Sequence, residues 1–320
     1  MPFLKEINLA VLIIGYKRPA NIALILDLCQ FSGISEIFVS IDGPKEGDLK
    51  GLQDFKKIKE VVLDFRQNFL GEIKVNFRKN NVGCAASVLS SCDWFFEQTE
   101  YGMILEDDCI PSKYFFDFAR STRTYLEETN DVWLSCGTQF APNEILPDSP
   151  ILSKYALTWG WVTTRQKWLE IRENLMTAQI NSLLISHNSN IIDSIYWQAG
   201  SRRAYKGFTD VWDTILVYLM QVNNKYAILP SQNLVSNIGD DIAATHTKET
   251  SIFLNKSVGK FIEDSQTPQF SNIADAWIKK NVYSISFRHA ITTNLTRIKD
   301  YLNKNKRKPE LLNRWINAKI

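Results

Sequence analysis

The sequence lacks long hydrophobic runs, an excess of either charge and any secretory signal. Its 320 residues carry 37 Lys and Arg against 35 Asp and Glu, so a formal net charge of +2 demands no nucleic-acid partner. The N-terminal apolar run LAVLIIG is far shorter than the ~20 residues that a membrane-spanning helix needs. We therefore expect a soluble or membrane-peripheral protein.

The sequence also lacks paired cysteines, since its five Cys are widely spaced and form no CxxC motif. An odd number of thiols in mostly apolar surroundings indicates a reducing compartment, and we expect the protein in the cytoplasm. No internal repeat and no Pro- or Ser-rich linker is visible, so the two halves are expected to pack as one unit. With 45% hydrophobic residues, the chain is long and apolar enough for a sizeable core.

Strand and helix patterns alternate through the first half of the chain. Short apolar runs rich in β-branched residues predict strands, and a segment with helical spacing follows each of the first four. The predicted strands are NLAVLIIGY at 8–16, EIFVSIDG at 36–43, EIKVNFR at 72–78, GMILEDD at 102–108 and DVWLSCGTQF at 131–140. This order predicts an α/β fold with a Rossmann-like, mostly parallel central sheet flanked by helices.

Charged side chains follow three of these strands. Arg18 follows the first strand, Asp42 the second, and Glu106, Asp107 and Asp108 the fourth. Because ligands of open parallel sheets bind beyond the carboxyl ends of the strands, we expect these residues to converge. Three adjacent carboxylates repel one another, and carboxylate oxygens are the ligands that Mg²⁺ and Mn²⁺ prefer. The alternative interpretation of the triplet is an acidic surface turn.

Two further segments offer groups to the same edge of the sheet. NNVGCAAS at 80–87 places Asn81 and Gly83 at the start of a helix, whose amides favour a phosphate or ribose, although a cap with small packing residues also explains it. TWGWVTTRQKW at 158–168 contains Trp161, which either stacks on a sugar ring or belongs to the edge of the core.

The second half is richer in Trp and polar residues, and it contains the candidate bases. TDVWDTILVYLMQVNNK at 209–225 predicts a helix that carries Asp210 and Asp213 on one face. A carboxylate in a partly apolar cleft can act as a general base. Asp210 suits the helix N-cap and Asp213 suits the base, and both stay catalytic candidates. His246 is a lone histidine, more often structural than a ligand, and is kept as a candidate metal ligand.

In this order, the segments resemble the GT-A glycosyltransferases, and most closely the bacterial nucleotide-diphospho-sugar transferases that look like N-acetylglucosaminyltransferase I. The stretches that carry the resemblance are IIGYKRP, VSIDG, NNVG, MILEDDCIPS, TWGWVTTRQKW, TDVWD and LPSQNLVSNIGDDIAATHT, spread over residues 9–247. The resemblance implies a GT-A domain over residues 1–250, with a nucleotide-binding half (1–140) and an acceptor and catalytic half (141–250). A basic helical extension follows over residues 251–320.

The resemblance also implies a role for each candidate. It assigns Arg18 and Asp42 to the nucleotide, Asp107 to the ribose or sugar, and Glu106 to the donor sugar or to support of the loop. It assigns Asp108 to Mn²⁺ or Mg²⁺, Trp161 to the donor and acceptor pocket, Asp213 to the general base and His246 to a loop over the donor. Asn81 and Gly83 stay candidates for the nucleotide because of their place at a helix start. The family often has a second acidic residue beside the base, where this chain has Thr214, so Asp210 and Asp213 both stay open as the base.

The implied reaction moves a sugar, with inversion, from a nucleotide-diphosphate sugar to an acceptor hydroxyl. A UDP-sugar is the first choice of donor, and the acceptor is a glycan, a lipid-linked molecule or a protein in bacterial polysaccharide synthesis. Two alternatives stay open: a sugar-nucleotide nucleotidyltransferase, disfavoured by the lack of a Gly-rich loop after the first strand, and a non-catalytic sugar-nucleotide binding module. The basic tail is either a solvated helix pair or a contact with the inner face of the membrane.

Overall fold

The computed structural model describes residues 9–177, 191–239, 253, 256–261, 267–286, 288, 291–292, 295–296 and 310–318. The strands are β1 Ala10–Gly15, β2 Glu36–Ile41, β3 Glu72–Phe77, β4 Tyr101–Glu106, β5 Cys109–Pro111, β6 Val132–Cys136, β7 Ile151–Ser153, β8 Trp161–Thr164, β9 Tyr226–Leu229, β10 Val235–Asn237 and β11 Gln269–Phe270. The α-helices are α1 Pro19–Phe31, α2 Leu49–Asn68, α3 Cys84–Phe96, α4 Lys113–Glu128, α5 Arg165–Thr177, α6 Ile191–Tyr205, α7 Asp213–Val222, α8 Asn272–Asn281 and α9 Leu311–Asn317.

Nine of these strands form the central sheet, in the order β11-β7-β9-β6-β8-β4-β1-β2-β3. Five of its eight strand pairings are parallel, and the antiparallel ones all involve β7 or β8. The fold is therefore α/β with a mostly parallel central sheet, as the alternation of strand and helix patterns predicted. Strands β5 and β10 form a separate antiparallel pair.

The sheet is buried on both faces, which explains why β1 is an uninterrupted apolar run. Ala10, Leu12 and Ile14 point into one core, together with residues of α3, α5 and α7. Val11 and Ile13 point into the other, together with residues of α1, α2 and α4. Helices therefore cover both faces, and the five strands predicted in the first half are all present.

The loops after β1, β2 and β4 meet at one edge of the sheet. In the parallel register, Gly15 pairs with Ile41 and Ile14 pairs with Glu106, so the three strands end at the same level. Pro19 is the first residue of α1, where its fixed φ and missing N–H are tolerated. The chain therefore turns sharply after β1 and leaves its loop side chains at this edge.

The described parts of the C-terminal segment pack on the rest of the chain. Strand β11 pairs with β7, and α9 packs against α3. Trp315 on α9 donates a hydrogen bond to Asp93 Oδ2 at 2.9 Å. The domain division at residue 250 stays a prediction, and most of the basic tail before α9 lies outside the described residues. None of the helices in the described ranges has the length and apolar character needed to span a membrane.

Candidate functional site

A cavity of about 260 Å³ lies at the carboxyl ends of β1, β2 and β4. Its wall combines the loops after those strands with the first turn of α3 and the segment before α7. The lining residues are Ile14, Gly15, Tyr16, Lys17, Arg18, Asp42, Lys45, Asn81, Gly83, Cys84, Ser87, Val88, Glu106, Asp107, Asp108 and Asp210. The structure thus brings Arg18, Asp42 and the acidic triplet together around one space.

Asp107 ties the end of β4 to the loop after β1. Its Oδ2 accepts a hydrogen bond from the Tyr16 backbone N–H at 2.7 Å, and its Oδ1 accepts one from Arg18 Nη1 at 2.6 Å. The Asn21 side chain donates to the Asp107 carbonyl at 2.9 Å. Burial raises the pKa of Asp107 to about 6, although the charge of Arg18 acts in the opposite direction. Asp107 therefore holds both loops in place as well as lining the cavity.

Asp108 keeps longer contacts than Asp107. Arg18 Nη1 lies 3.3 Å from its Oδ2, and Asn237 Nδ2 and Cys109 Sγ lie 3.3 and 3.4 Å from its Oδ1. The antiparallel pairing of β5 with β10 sets Asn237 opposite Cys109 and so beside this carboxylate. Because N–H···O distances near 3.3 Å are at the weak end of the range, Asp108 retains capacity for a cation.

Glu106 is the last residue of β4, and its surroundings oppose its ionisation. Burial and the negative charge of Asp108 raise the pKa of Glu106 to about 8. Asp107 and Asp213 add to this rise, and Arg18 opposes it. A cation bound beside Glu106 would favour its ionised form and offset the repulsion among these carboxylates.

The acidic triplet fits a hard divalent cation by its donor chemistry. Across the described ranges, no three or more His, Cys, Asp or Glu side chains form a group arranged to hold a metal. Mg²⁺ at phosphate sites is commonly held by one or two carboxylates, with waters and phosphates completing its coordination. Asp108, with its long contacts, and Glu106, with its raised pKa, supply two such carboxylates. His246, the other predicted ligand, lies outside the described residues.

Asp42 is buried, and its carboxylate is engaged by the neighbouring loop. It accepts hydrogen bonds from the backbone N–H groups of Gly43, Val82 and Gly83 and from the Asn81 side chain, at 2.8 to 3.3 Å. Burial raises the pKa of Asp42, and the backbone hydrogen bonds partly offset that rise. Asp42 and Asn81 therefore shape the wall of the cavity. The resemblance did not imply this structural role. Their contact with a nucleotide stays a prediction.

Gly83 and Asp210 meet at the start of α3. The Asp210 carboxylate accepts hydrogen bonds from the backbone N–H groups of Cys84 at 3.2 Å and Ala85 at 3.4 Å, and it pairs with Arg314 at 2.6 Å. Gly83 has a φ of 89°, and a Cβ there would lie 2.5 Å from Asp210 Oδ2. Glycine is required at this position by both its backbone angle and the close approach of the carboxylate.

Asp210 and Asp213 do not share a helix face, contrary to the prediction. Helix α7 begins at Asp213 with Trp212 as its N-cap, so Asp210 precedes the helix and caps α3 instead. Asp213 accepts a hydrogen bond from the backbone N–H of Thr214 at 2.7 Å. It is not one of the lining residues, yet its charge raises the pKa of Glu106, which places it near the acidic triplet.

Trp161 belongs to the core and not to the wall of the cavity. It is only 1% exposed on β8, and its ring centroid lies 6.3 Å from that of Trp168 and 5.4 Å from that of Trp212. Because Trp161 is buried and does not line the cavity, it is not placed to stack on a sugar there. The contact with Trp212 links this core to the N-cap of α7, and so to the position of Asp213.

The basic side chains of the cavity come from the loops after β1 and β2. Lys17 and Lys45 line it together with Arg18. Lys17 pairs with Asp48, the residue that caps α2, so this part of the loop is anchored to a helix start. Cations and carboxylates in one cavity can receive an anionic ligand and a metal ion side by side.

Sequence reasoning missed several residues of the site. Lys17 is adjacent to Arg18, and Lys45 follows Asp42 by three residues, so both carried a signal as basic residues in strand-end loops. Ser87 lies one turn after Gly83 on α3. Arg314 carried no such signal, because its partner Asp210 lies 104 residues earlier in the chain.

Among the comparisons with known proteins, only the comparison with solved structures finds similar proteins. No protein-family model matches the sequence, and no curated protein matches it. One similar structure is UDP-glucose pyrophosphorylase complexed with UDP-glucose, with 8% identity and a TM-score of 0.39 over 69% of this chain and 90% of that chain. Another is the mannose-1-phosphate geranyltransferase from Thermus thermophilus, with 8% identity and a TM-score of 0.34 over 70% of this chain and 73% of that chain. Similarity this low bears on neither activity nor substrate.

Proposed function

We propose that this protein is a glycosyltransferase that uses a nucleotide-diphosphate sugar, a UDP-sugar first, with Mn²⁺ or Mg²⁺. One observation carries the proposal: the carboxyl ends of two neighbouring parallel strands, β1 and β4, bring Arg18 and Lys17 and the carboxylates Glu106 and Asp108 to a single cavity. A diphosphate needs cations, a divalent metal needs carboxylates, and ribose and sugar hydroxyls need acceptors. The cavity offers all three kinds of group.

Asp108 and Glu106 are the residues that would hold the metal. When bound, the metal would supply positive charge where negative charge builds on the departing diphosphate. Arg18, which contacts both Asp107 and Asp108, would lie beside the same phosphates. The GT-A assignment and the roles of Asp42, Asn81 and Gly83 at the nucleotide belong to this proposal.

Asp213 is the general base in this proposal. The Asp210 oxygens already accept hydrogen bonds from the start of α3 and pair with Arg314, which supports Asp213 over Asp210. The acceptor oxygen forms a bond to the anomeric carbon while the bond from that carbon to the diphosphate breaks. The acceptor proton moves to Asp213, and the nucleoside diphosphate leaves with the bonding electron pair. This displacement inverts the anomeric centre.

The acceptor is a hydroxyl of a glycan, a lipid-linked molecule or a protein in polysaccharide synthesis. We assign the protein to the cytoplasm, with contact to the inner face of the membrane through its basic C-terminal segment. Sedimentation with vesicles that contain anionic lipid, at low and at high salt, tests that contact. Binding that does not weaken with salt would contradict it.

A second candidate is a sugar-nucleotide nucleotidyltransferase, and the position of Lys17 and Arg18 favours it. Both basic residues follow β1 directly and line the cavity, where they suit the phosphates of a nucleoside triphosphate. The loop contains no Gly-rich run, which disfavours this candidate. A non-catalytic binding module is the third candidate, and it predicts binding without turnover.

A thermal-shift panel of nucleoside diphosphates and their sugars, with and without Mn²⁺, tests the proposal. A ligand that binds the folded state raises the melting temperature by mass action, and we expect the largest rise for a UDP compound with Mn²⁺. Release of nucleoside diphosphate on addition of acceptors supports glycosyl transfer. Release of pyrophosphate from a nucleoside triphosphate and a sugar phosphate supports the second candidate. No shift with any sugar nucleotide contradicts all three.

A further inference from the structure

The C-terminal helix α9 reaches the wall of the cavity through one side chain. Arg314 Nη1 lies 2.6 Å from Asp210 Oδ1, and the two side chains are only 10% and 12% exposed. An ion pair sheltered from water is screened less than a pair on the surface, so it fixes the relative position of its partners more firmly. Arg314 therefore determines where Asp210 lies.

Asp210 in turn holds the first turn of α3. Backbone N–H groups at a helix start have no partner within the helix. The Asp210 carboxylate supplies one for Cys84 and one for Ala85, at 3.2 and 3.4 Å. Gly83 permits this approach, since a Cβ there would collide with the carboxylate. The contacts form a chain from α9 through Asp210 to the first turn of α3.

The first turn of α3 presents one polar group that lacks a partner in the described residues. The Ser87 hydroxyl is buried, lines the cavity and has no hydrogen bond. By contrast, Ser90 Oγ and Ser91 Oγ each donate a hydrogen bond of 2.6 Å to a carbonyl of the preceding turn. A buried hydroxyl without a partner is unfavourable, and a polar ligand atom in the cavity would satisfy it.

Helix α9 has anchors that do not involve Asp210. Lys206 on the segment after α6 pairs with Glu310 at 2.8 Å, and Trp315 donates to Asp93 at 2.9 Å. Removal of the Arg314 side chain should therefore leave α9 docked. The contact between Arg314 and Asp210 is separable from the general attachment of the helix.

We propose that Arg314 is a positioning residue of the cavity. By holding Asp210 against the first turn of α3, it fixes the Ser87 hydroxyl for a hydrogen bond with a polar atom of the bound nucleotide. The inference rests on the proposed function for the identity of that ligand. It makes the C-terminal segment a part of the donor site, although Arg314 itself need not touch the donor.

The test compares Arg314→Ala with the control Lys206→Ala in the full-length chain. The probe is UDP with Mn²⁺, and the readouts are its affinity by calorimetry and the amide hydrogen exchange of residues 83–88. We expect Arg314→Ala to weaken UDP binding about ten-fold and to speed this exchange, the scale seen when an outer partner of a site residue is removed. Lys206→Ala should change neither, since its pair with Glu310 lies at the N-cap of α9 and does not include Asp210. Ser87→Ala should weaken UDP binding without faster exchange.

The outcomes separate this inference from the proposed function. If the parent protein does not bind UDP, the choice of donor fails, and hydrogen exchange alone then decides the role of Arg314. Equal exchange at residues 83–88 in Arg314→Ala and Lys206→Ala would overturn the inference, and so would unchanged UDP affinity in a protein that binds UDP. If Arg314→Ala does not fold, Arg314→Lys takes its place, because it keeps the charge and alters the planar geometry. Parent-like exchange and affinity in Arg314→Lys would then overturn it.

Discussion

Two sets of carboxylates line the cavity in different surroundings: Glu106 and Asp108 at the end of β4, and Asp42 and Asp210 beside the start of α3. At the end of β4, Glu106 has a pKa of about 8, and Asp108 has only long contacts. At the start of α3, Asp42 and Asp210 accept hydrogen bonds from backbone amides. A carboxylate bonded to amides holds the chain in place, whereas carboxylates crowded by like charge favour a cation. The first region is suited to chemistry and the second to shaping the wall.

The largest expected effect is that of Asp108→Ala, which removes a carboxylate from the end of β4. Transfer should fall on the order of 10³-fold, and UDP binding should lose its dependence on Mn²⁺. Calorimetry with and without Mn²⁺ measures the second effect directly. Asp42→Asn is the matched control at α3: it should lower stability and keep the Mn²⁺ dependence. Equal Mn²⁺ dependence in Asp108→Ala and the parent would remove the distinction between the two regions.

Asp213→Asn tests the proposed base, a residue whose charge acts on Glu106 although it does not line the cavity. Turnover should fall on the order of 10²-fold, while UDP affinity stays at the parent value, because the amide cannot take the acceptor proton. Single-turnover transfer rates and calorimetry measure the two quantities. Near-normal turnover in this variant, together with a large loss in Asp210→Asn, would exchange the roles of the two residues.

Gly83→Ala tests the structural role of the α3 region. The variant should lose about 3 kcal/mol of stability, because its φ of 89° is strained and its Cβ meets Asp210. Gly33→Ala is the control, since Gly33 also has a positive φ but nothing lies within 4 Å of the added carbon. It should lose about 1 kcal/mol. Denaturant unfolding measures both, and equal losses would mean that the contact with Asp210 contributes nothing.

The smallest expected effect is the pH dependence due to Glu106. Its pKa in the folded protein is about 8 against an ordinary value of 4.5, so the folded state binds this proton more tightly. The stability of the metal-free protein should therefore fall as pH rises from about 5 to about 8. Glu106→Gln should remove that fall, so the variant should be more stable than the parent above about pH 8.

Urea unfolding in a chelator, at three pH values across that range, measures this effect. The charged groups that act on the Glu106 pKa are Asp108, Asp107, Asp213 and Arg18, and all of them stay in the variant. Mn²⁺ should flatten the pH dependence of the parent, because a bound cation lowers the pKa of a carboxyl. A parent and a variant with the same slope would contradict the raised pKa of Glu106.

The sequence predicted the strands of the central sheet better than it predicted the surroundings of the candidate site residues from the second half of the chain. Buried parallel strands have a local signal, which is why β1 to β4 and the acidic triplet at one sheet edge were found from pattern alone. The start of α7 was misplaced, because Asp210 and Asp213 have helical spacing while the chain before Asp213 is held by α3. The sequence left Trp161 open between a ligand pocket and the core, because an aromatic residue beside a glycine suits both, and its burial assigns it to the core.

The sequence by itself determined the α/β class and the clustering of charge after β1, β2 and β4, because period and strand order are local properties of the chain. Tertiary structure alone decided which carboxylates are satisfied and which are crowded. Asp42 and Asp210 differ from Glu106 in what packs around them. Asp42 accepts hydrogen bonds from amides just before α3, and Asp210 accepts them from the first amides of α3 and pairs with Arg314, whereas other carboxylates lie around Glu106. Asp107 and Asp108 adjoin Glu106 in the sequence, but Asp213, Arg314 and the amides before and within α3 come from distant parts of the chain. The surroundings of each carboxylate are therefore complete only in the folded protein.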